Sequence, residues 1–344
     1  MRHNLREIIK AGKGIRIASR GETAARTIFS RVRYFNQRIE DKYKKLVPPY
    51  FRKKVKYGVL AAVLGFGAMG QFVFYTSAPL TVYFYDVGQG DAAHLRTKDG
   101  FDVLIDGGPT PRLAEKVGRT LPFWDRKIEL MILTHPHADH LVGFIDILKQ
   151  FEVEKVLATG VVHTTDEYLT WLKAIKEQGI TFQVAQAGQQ YTIGSGEEIG
   201  RLEILWPKEN LSGKRIIEKS EADGGLNATS IVAKFIYGKT SFLFTGDAEE
   251  GVEKELVELY GGLLKSDVLK AGHHGSKTST SKEFLQAVAP TYAVIQSGRK
   301  NRFGHPHFQT LWRLKQTGVE VLRNDQDGDV VFESDGKGVR IANY

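Results

Sequence analysis

The chain has 344 residues, no cysteine, and 48 Lys/Arg against 40 Asp/Glu, a formal net charge of +8. The lack of cysteine excludes a disulfide framework and fits an exported or a cytosolic chain equally. The overall basicity does not describe a uniformly basic nucleic-acid-binding surface. Residues 1–56 hold 17 Lys/Arg against 4 Asp/Glu, a net of +13, and the remainder carries a net of −5.

Within the basic segment 1–56, residues 22–45 place Ile28, Val32, Phe35 and Ile39 at helical spacing, and Pro48-Pro49 ends the pattern. The reading is a solvated basic stalk against anionic lipid, with nucleic-acid binding or a partner helix as alternatives. Residues 57–80 follow with no charged side chain in 24 positions, long enough to cross a hydrocarbon core of about 30 Å. The expectation is a transmembrane signal-anchor helix over 57–79. Arg52-Lys53-Lys54 and Lys56 precede it, so the positive-inside rule puts the N-terminus in the cytoplasm. The expected location is a single-pass cell-membrane protein with its larger part extracytoplasmic. A signal peptide cleaved near Thr76-Ser77-Ala78 and a buried core helix are the competing readings.

From residue 80 to 344 the pattern is that of one domain. Apolar strands are expected at 81–86, 92–96, 103–106 and 129–133, then helices at 142–151 and 166–178. Strands at 230–237 and 241–245 flank Gly238-Lys239, and helices follow at 248–260, 281–288 and 308–317. The end, 319–342, reads as short strands joined by Asp327-Gly328 and Asp335-Gly336 turns. The fold class expected is α/β, two sheets face to face with helices outside.

Chemistry concentrates in His135-Pro136-His137-Ala138-Asp139-His140, which follows the apolar run Leu130-Met131-Ile132-Leu133. Imidazole and carboxylate together suit zinc, manganese or iron. His135 and His137, two apart on extended backbone, point the same way and grip one ion. Asp139 and His140, where a helix starts, face a second. Three further strand ends deliver ionisable residues: Asp106 after 101–105, Asp247 after 242–246, and His273-His274 after 267–272. Asp86 and Asp91 lie on a glycine-rich turn, where capping is as good an account as function.

The set HxHxDH, a downstream Thr245-Gly246-Asp247 and a later His273-His274-Gly275-Ser276 resembles the metallo-β-lactamase superfamily of metal-dependent hydrolases. More narrowly, residues 85–91, 104–108, 273–276 and 301–307 resemble the C-terminal hydrolase domain of the ComEC family of DNA-internalisation competence proteins. The resemblance covers about residues 80–344. It implies a four-layer αββα sandwich and one or two divalent ions, zinc or manganese, held by His135, His137, Asp139, His140, Asp247 and His274. Asp247 is the natural bridge between two ions. His273 is read as facing substrate, Asp106 as orienting a ligand or a water, and Asp139, His273 and His305 (with His307 beside it) as carrying proton transfers. Asn227 stands where the wider superfamily commonly has another metal-binding histidine; it suits a harder ion such as manganese. His163 is a rival ligand, read as a loop residue. Ser276, Lys277 and Arg302 are candidates for holding a phosphate.

The function implied is a metal-dependent phosphodiesterase, most specifically a nuclease acting on DNA outside the membrane. A cell-envelope phosphodiester, or a small ester, lactone or lactam, is the alternative substrate, and a non-catalytic binding module is a third reading. Lys270, Lys277, Lys282, Arg299, Lys300 and Arg302 form the expected basic rim for phosphate.

Overall fold

Leu80-Thr81-Val82-Tyr83-Phe84 (β1, Leu80–Phe84) is buried at every position, as a strand must be when both its faces are covered. Its partners build an eight-stranded sheet: β2 (Ala93–Arg96), β3 (Asp102–Ile105), β4 (Lys127–Leu133), β5 (Glu152–Ala158) and β6 (Thr181–Val184) on one side, β14 (Val330–Ser334) and β15 (Val339–Ile341) on the other, in the order β15-β14-β1-β2-β3-β4-β5-β6. A seven-stranded sheet faces it, built from β7 (Gln190–Ile193), β8 (Gly200–Trp206), β9 (Val232–Tyr237), β10 (Thr240–Phe244), β11 (Val268–Lys270), β12 (Tyr292–Ile295) and β13 (Glu320–Arg323), in the order β13-β12-β11-β10-β9-β8-β7.

This computed structural model describes residues 57, 80–195, 199–216 and 225–342. The basic segment 1–56 and the apolar span 57–79, apart from Tyr57, lie outside the described residues. The expectations of a stalk and a membrane helix fall there. Among the described residues no helix is long and apolar enough to cross a membrane. The chain divides into two units, Met1–Gly70 and Gln71–Tyr344, and the described residues from 80 onward belong to the second.

Three buried clusters fix the layers. Between the sheets, Val82, Phe84, Val103 and Ile132 meet Phe235, Phe242 and Phe244, with Phe84 and Phe244 stacked at 5.7 Å. On the outer face of the first sheet lie α1 (Arg112–Thr120), α2 (Ala138–Gln150) and α3 (Asp166–Glu177), which bury Leu113, Val117, Phe144, Ile147 and Trp171. On the second lie α4 (Glu250–Tyr260), α5 (Lys282–Val288) and α6 (Phe308–Gln316), which bury Val252, Leu256, Phe284 and Leu314. The protein is therefore a mixed α/β fold with two packed sheets and helices on both outer faces, as the apolar pattern predicts.

The structure departs from the sequence reading in places. α2 begins at Ala138 rather than 142, with His137 as its extended N-cap residue, so Asp139 and His140 sit in the first helical turn. α1, β5, β6, β7, β8 and β12 are not among the elements expected from the sequence. β6 and β7 contain only one fully buried side chain between them, so their pattern lacks the apolar face that identifies a strand. A helical turn, Asn324–Asp327, separates β13 from β14.

β3 to β6 run parallel in one sheet, and β10 to β13 in the other. The residues that follow β3, β4, β10 and β11 therefore emerge at the same ends of the strands, where open parallel sheets form their crevices.

Candidate metal centre

Asp106, one residue past β3, adopts a left-handed φ of 59°, a backbone state rare outside glycine and most often found at functional positions. That turn lets its carboxylate accept from the Thr134 backbone N–H and the Thr134 hydroxyl, both at 2.8 Å, and from His140 Nδ1 at 2.8 Å. His140 is thereby fixed as the tautomer with Nδ1 protonated, and Nε2 is turned into the site. Glycine is required where the loops interleave. A Cβ at Gly143 would collide with the Gly107 carbonyl, and one at Gly90 with that of Asp139.

His274, after β11, is oriented from the other side. Its Nδ1 donates to the Gln296 carbonyl at 2.9 Å and lies 3.0 Å from Asp91 Oδ1. His273 and His274 have φ of 45° and 55°, two successive non-glycine residues in the left-handed region. His274 is fully buried against Asp139 and Asp247, whereas His273 remains a quarter exposed and bonds Glu249 through Nδ1 at 2.8 Å.

The outward nitrogens and carboxylates converge. His140 Nε2 lies 3.3 Å from Asp247 Oδ1, His274 Nε2 3.2 Å from Asp139 Oδ2 and 3.6 Å from Asp247 Oδ2, and His135 Nε2 3.8 Å from Asp247 Oδ2. His137 Nδ1 is 2.9 Å from His135 Nε2. A tetrahedral ion with bonds of about 2.1 Å sets its donors roughly 3.4 Å apart, so these separations fit a metal cage. Buried His140 Nε2 and Asp247 Oδ1 face one another without a hydrogen bond of good geometry. Buried polar atoms are rarely left so, and a cation between them is the direct remedy. His135, His140 and Asp247 form one group able to hold an ion; Asp139, His140 and His274 form another, and Asp91, Asp247 and His274 a third.

The electrostatics of the cluster divide the histidines: His135 is pushed toward the neutral form, whereas burial of His140 is outweighed by Asp247, Asp106 and Asp139, which raise it well above the usual range. Burial, then the charge of His140, pushes His135 well below the usual histidine range, leaving the neutral imidazole that a metal requires. Burial opposes ionisation of Asp247 but is outweighed by His274, His140 and His273, which hold its carboxyl well below the usual range. Burial also acts against charge on His274, yet Asp247 and Asp91 lift it to about 10. His305 is pushed down to about 4 by burial first and then by His273, His274 and His307.

The placement of the sequence-predicted residues is uneven. His135, His140, Asp247 and His274 converge in one buried cluster with Asp139, whose side chain is a third exposed. The grouping differs from the expected pairing, because His140 shares a group with His135 as well as with Asp139. Asn227 sits beside His273, with Nδ2 3.4 Å from His273 Nδ1, and its Oδ1 is buried without a partner. His305 and His307 lie on the same side, with His305 ring centroids 5.4 Å from His273 and 5.3 Å from His307. Ser276 is buried and shares a hydrogen bond with Thr278, while Lys277 and Arg302 are exposed. His163 packs against Tyr168 and joins none of these groups.

Lys270 departs from expectation, and Asp91, for which capping and function were both open, faces the cluster. Lys270 is not part of a solvent-facing basic rim: its ammonium is buried, bonds the Gly246 carbonyl at 2.8 Å and is paired with Asp91. Asp91 is inside the site rather than a turn cap, because its carboxylate faces both Lys270 and His274. A lysine in the otherwise apolar strand Val268-Leu269-Lys270 was the available signal, since such a charge must have a buried partner. Glu249 and Gln296, the acceptors for His273 and His274, carried no signal in the sequence.

Comparison with known proteins follows this geometry. Residues 85–299 match the family model described as the metallo-beta-lactamase superfamily. The chain is 33% identical to ComE operon protein 3 of Bacillus subtilis (strain 168) over 72% of its own length and 32% of that protein. It is 33% identical to Recombination protein 2 of Haemophilus influenzae over 71% of its length and 28% of that protein, and 30% identical to Competence protein ComA of Neisseria gonorrhoeae over 76% and 33%. The chain thus spans about a third of the length of these relatives. The cluster at the strand ends and the two-sheet fold around it accord with the family match, and the chain belongs to the metallo-β-lactamase superfamily.

Proposed function

We infer that the protein is a metal-dependent phosphodiesterase whose substrate is DNA. The observation that carries this reading is the surface around the imidazole–carboxylate cluster. Phe303, Phe308 and Trp312 are 49%, 75% and 54% exposed. Phe308 and Trp312 share one face of α6, four residues apart. α6 is tied to the loop after His274: Thr310 Oγ1 donates to the Ser276 carbonyl, and Arg313 donates to the carbonyls of Lys277, Ser279 and Thr280. Exposed aromatics beside cations are the composition that holds single-stranded nucleic acid, by stacking bases and tracking the backbone. Lys277, Lys282, Arg299, Lys300 and Arg302 are exposed near them.

His135, His137, Asp139, His140, Asp247 and His274 would together hold one or two ions, with His135, His140 and Asp247 as one close group and Asp139, His140 and His274 as another. Zinc or manganese bound there supplies Lewis acidity toward a phosphoryl oxygen and makes water more acidic. The orphaned Asn227 Oδ1 supports a hard oxygen-liking ion such as manganese near His273. Asp139, the most solvent-facing carboxylate of the ligand set, is placed to accept a proton from water. His273, anchored on Glu249 through Nδ1, presents Nε2 to substrate. His305, held neutral, offers a ring hydrogen bond to the leaving oxygen. Asp106 keeps His140 in its tautomer.

The membrane anchor belongs to the same reading: 1–56 cytoplasmic against anionic lipid, 57–79 spanning, and 80–344 outside. Its support is the uncharged run of 57–80 directly after Arg52-Lys53-Lys54. The name of one relative, Competence protein ComA, refers to competence, which is consistent with DNA handling at a membrane.

The test is hydrolysis by the full chain in detergent, stripped of metal and reloaded with manganese or zinc, using labelled single- and double-stranded DNA and a small chromogenic phosphodiester. Metal-dependent cutting of DNA that disappears in Asp139→Asn supports the reading. Turnover of the small ester with DNA untouched would replace DNA by a small or envelope phosphodiester, and activity undiminished in Asp139→Asn would refute the site assignment.

A further inference from the structure

The Gly88-Gln89-Gly90 turn between β1 and β2 holds no member of the imidazole–carboxylate cluster, yet it is fixed on two sides. Asp91 N donates to the Asp139 carbonyl at 3.2 Å, which ties the turn to the start of α2. On the other side runs the loop from β12 to α6, where a Cβ at Gly298 would collide with the backbone N of Gln89. The two segments touch backbone to backbone, and the side chain that joins them is Gln89.

Gln89 Oε1 accepts from the Gly298 backbone N–H at 2.9 Å. A backbone N–H can only donate, so the arm of the amide that faces it must be the oxygen. The other arm is then the NH2 group, which can only donate, and it lies 3.5 Å from His305 Nδ1. A proton on Nδ1 would confront it donor to donor. Nδ1 is therefore the bare nitrogen, and in a neutral imidazole the proton sits on Nε2. Among the described residues Nε2 of His305 has no hydrogen-bond partner, so its N–H is free for a ligand.

The rest of the loop holds the ring in place. Asn301 Nδ2 donates to the carbonyls of Gly298 and His305 at 2.9 and 2.6 Å, and its Oδ1 accepts from the backbone N–H groups of Phe303 and His305 at 3.1 and 3.0 Å. Phe303 lies nearly parallel to the imidazole with centroids 5.8 Å apart, and His273 meets it nearly at right angles at 5.4 Å.

We propose that Gln89 is the positioning residue for His305: it fixes the Nε2–H tautomer, so that His305 donates a hydrogen bond to the leaving oxygen of a phosphodiester. This rests on the phosphodiesterase reading and adds the residue that decides which ring nitrogen carries the proton. In the reaction water adds to phosphorus, and the ester P–O bond breaks with its electron pair on the leaving oxygen, which takes its final proton from solvent. His305 stabilises the developing charge and keeps its own proton. The reversed tautomer would turn a lone pair on that oxygen and repel it.

Gln89→Glu separates the two tautomers. The carboxylate still accepts from the Gly298 N–H but now accepts at His305 as well, which favours Nδ1–H. At about pH 8.5, well above the ordinary histidine value of about 6.5, the ring is neutral. The full chain in detergent, carrying isotope-labelled histidine and loaded with zinc, is read by nitrogen NMR, with the His305 signals identified by their loss in His305→Ala. Nε2–H in the wild type and Nδ1–H in Gln89→Glu is the expected result. Nδ1–H in the wild type overturns the assignment, and so does Nε2–H in both chains.

Kinetics on the same proteins test the role at the leaving oxygen. Removing one donor to a developing oxyanion costs about 10²–10³ in kcat. Gln89→Glu and His305→Ala should each lose that much on single-stranded DNA with KM little changed. The loss should shrink to a few-fold on a nitrophenyl phosphodiester, whose leaving group needs little help. Gln89→Glu added to His305→Ala should cost nothing further. Equal losses on the two substrates, or an additional loss in the double variant, would overturn the role. Turnover of neither substrate by the wild type would refute the phosphodiesterase reading and this role with it, while the spectrum still reports whether Gln89 sets the tautomer.

Discussion

The ammonium of Lys270 is buried against the carboxylate of Asp91, and it lies 3.9 Å from Asp247 Oδ1 as well. Four carboxylates, Asp91, Asp106, Asp139 and Asp247, are gathered around the same imidazoles, and Lys270 is the fixed cation among them. Burial opposes charge on Asp91, but Lys270 and His274 hold its carboxyl below the usual range. Removing one partner of a buried pair leaves the other uncompensated, at a cost of about 3–5 kcal/mol. Lys270→Met is therefore expected to lose that much stability in urea unfolding, and Asp91→Asn in the same background to recover part of it. Additive losses in the two variants would show that the pair does not act as a unit.

Asp106 bonds three donors that do not themselves bind metal, and one of them is His140 Nδ1. An amide in its place keeps the size but presents an N–H to one of those donors and no longer favours the His140 tautomer. Loss of such an orienting carboxylate weakens metal binding by about 10–100-fold. Asp106→Asn should show that loss in a competition titration with a fluorescent chelator, with the fold retained by circular dichroism. Unchanged affinity would mean that His140 is oriented by packing alone.

The convergence of the candidate cluster was legible because most of its residues follow an apolar strand, and a histidine or aspartate stranded at such a point has few other uses. His135, His140, Asp247 and His274 announce themselves that way. Asp91 does not, because an aspartate in Gly88-Gln89-Gly90-Asp91 looks like a turn residue until Lys270, 179 positions later, is seen to share its pocket. The two-sheet core was readable from the strands that are buried on both faces, such as β1 and β4. α1 was not, because its buried side is only Leu113, Ala114 and Val117, too narrow a stripe in a run rich in charge. The orientation of the rings at Phe308 and Trp312 depends on α6 docking on the loop after His274, a tertiary contact with no local signature.

Glu253 gives the fold a pH dependence away from the metal ligands. It is buried on α4, where its carboxyl accepts from the backbone N–H groups of Thr280 and Ser281, and burial pushes it up to about 7. Folding thus favours the protonated form. Stability from this group is fully present below about 4.5, the ordinary glutamate value, and is lost as pH rises through about 7. The span corresponds to about 3 kcal/mol. Glu253→Gln, neutral at every pH, should flatten the stability profile between pH 4.5 and 7, after a constant loss of about 1–3 kcal/mol for the acceptor it gives up. A profile with its slope intact would assign the pH dependence to another group.

If α6 presents Phe308 and Trp312 to a strand of DNA, their loss should be felt by polymer and not by a small ester. Base stacking on one aromatic side chain is worth about 1–3 kcal/mol. Phe308→Ala and Trp312→Ala should each raise KM for single-stranded DNA by about 5–150-fold with kcat nearly unchanged, since a group far from the reacting phosphate contributes uniform binding. Turnover of the small chromogenic phosphodiester should stay at the wild-type value in both variants, because neither side chain is a metal ligand. Equal losses on DNA and on the small ester would instead mean that the substitutions had disturbed the loop holding His273 and His274, to which α6 is bonded through Thr310 and Arg313.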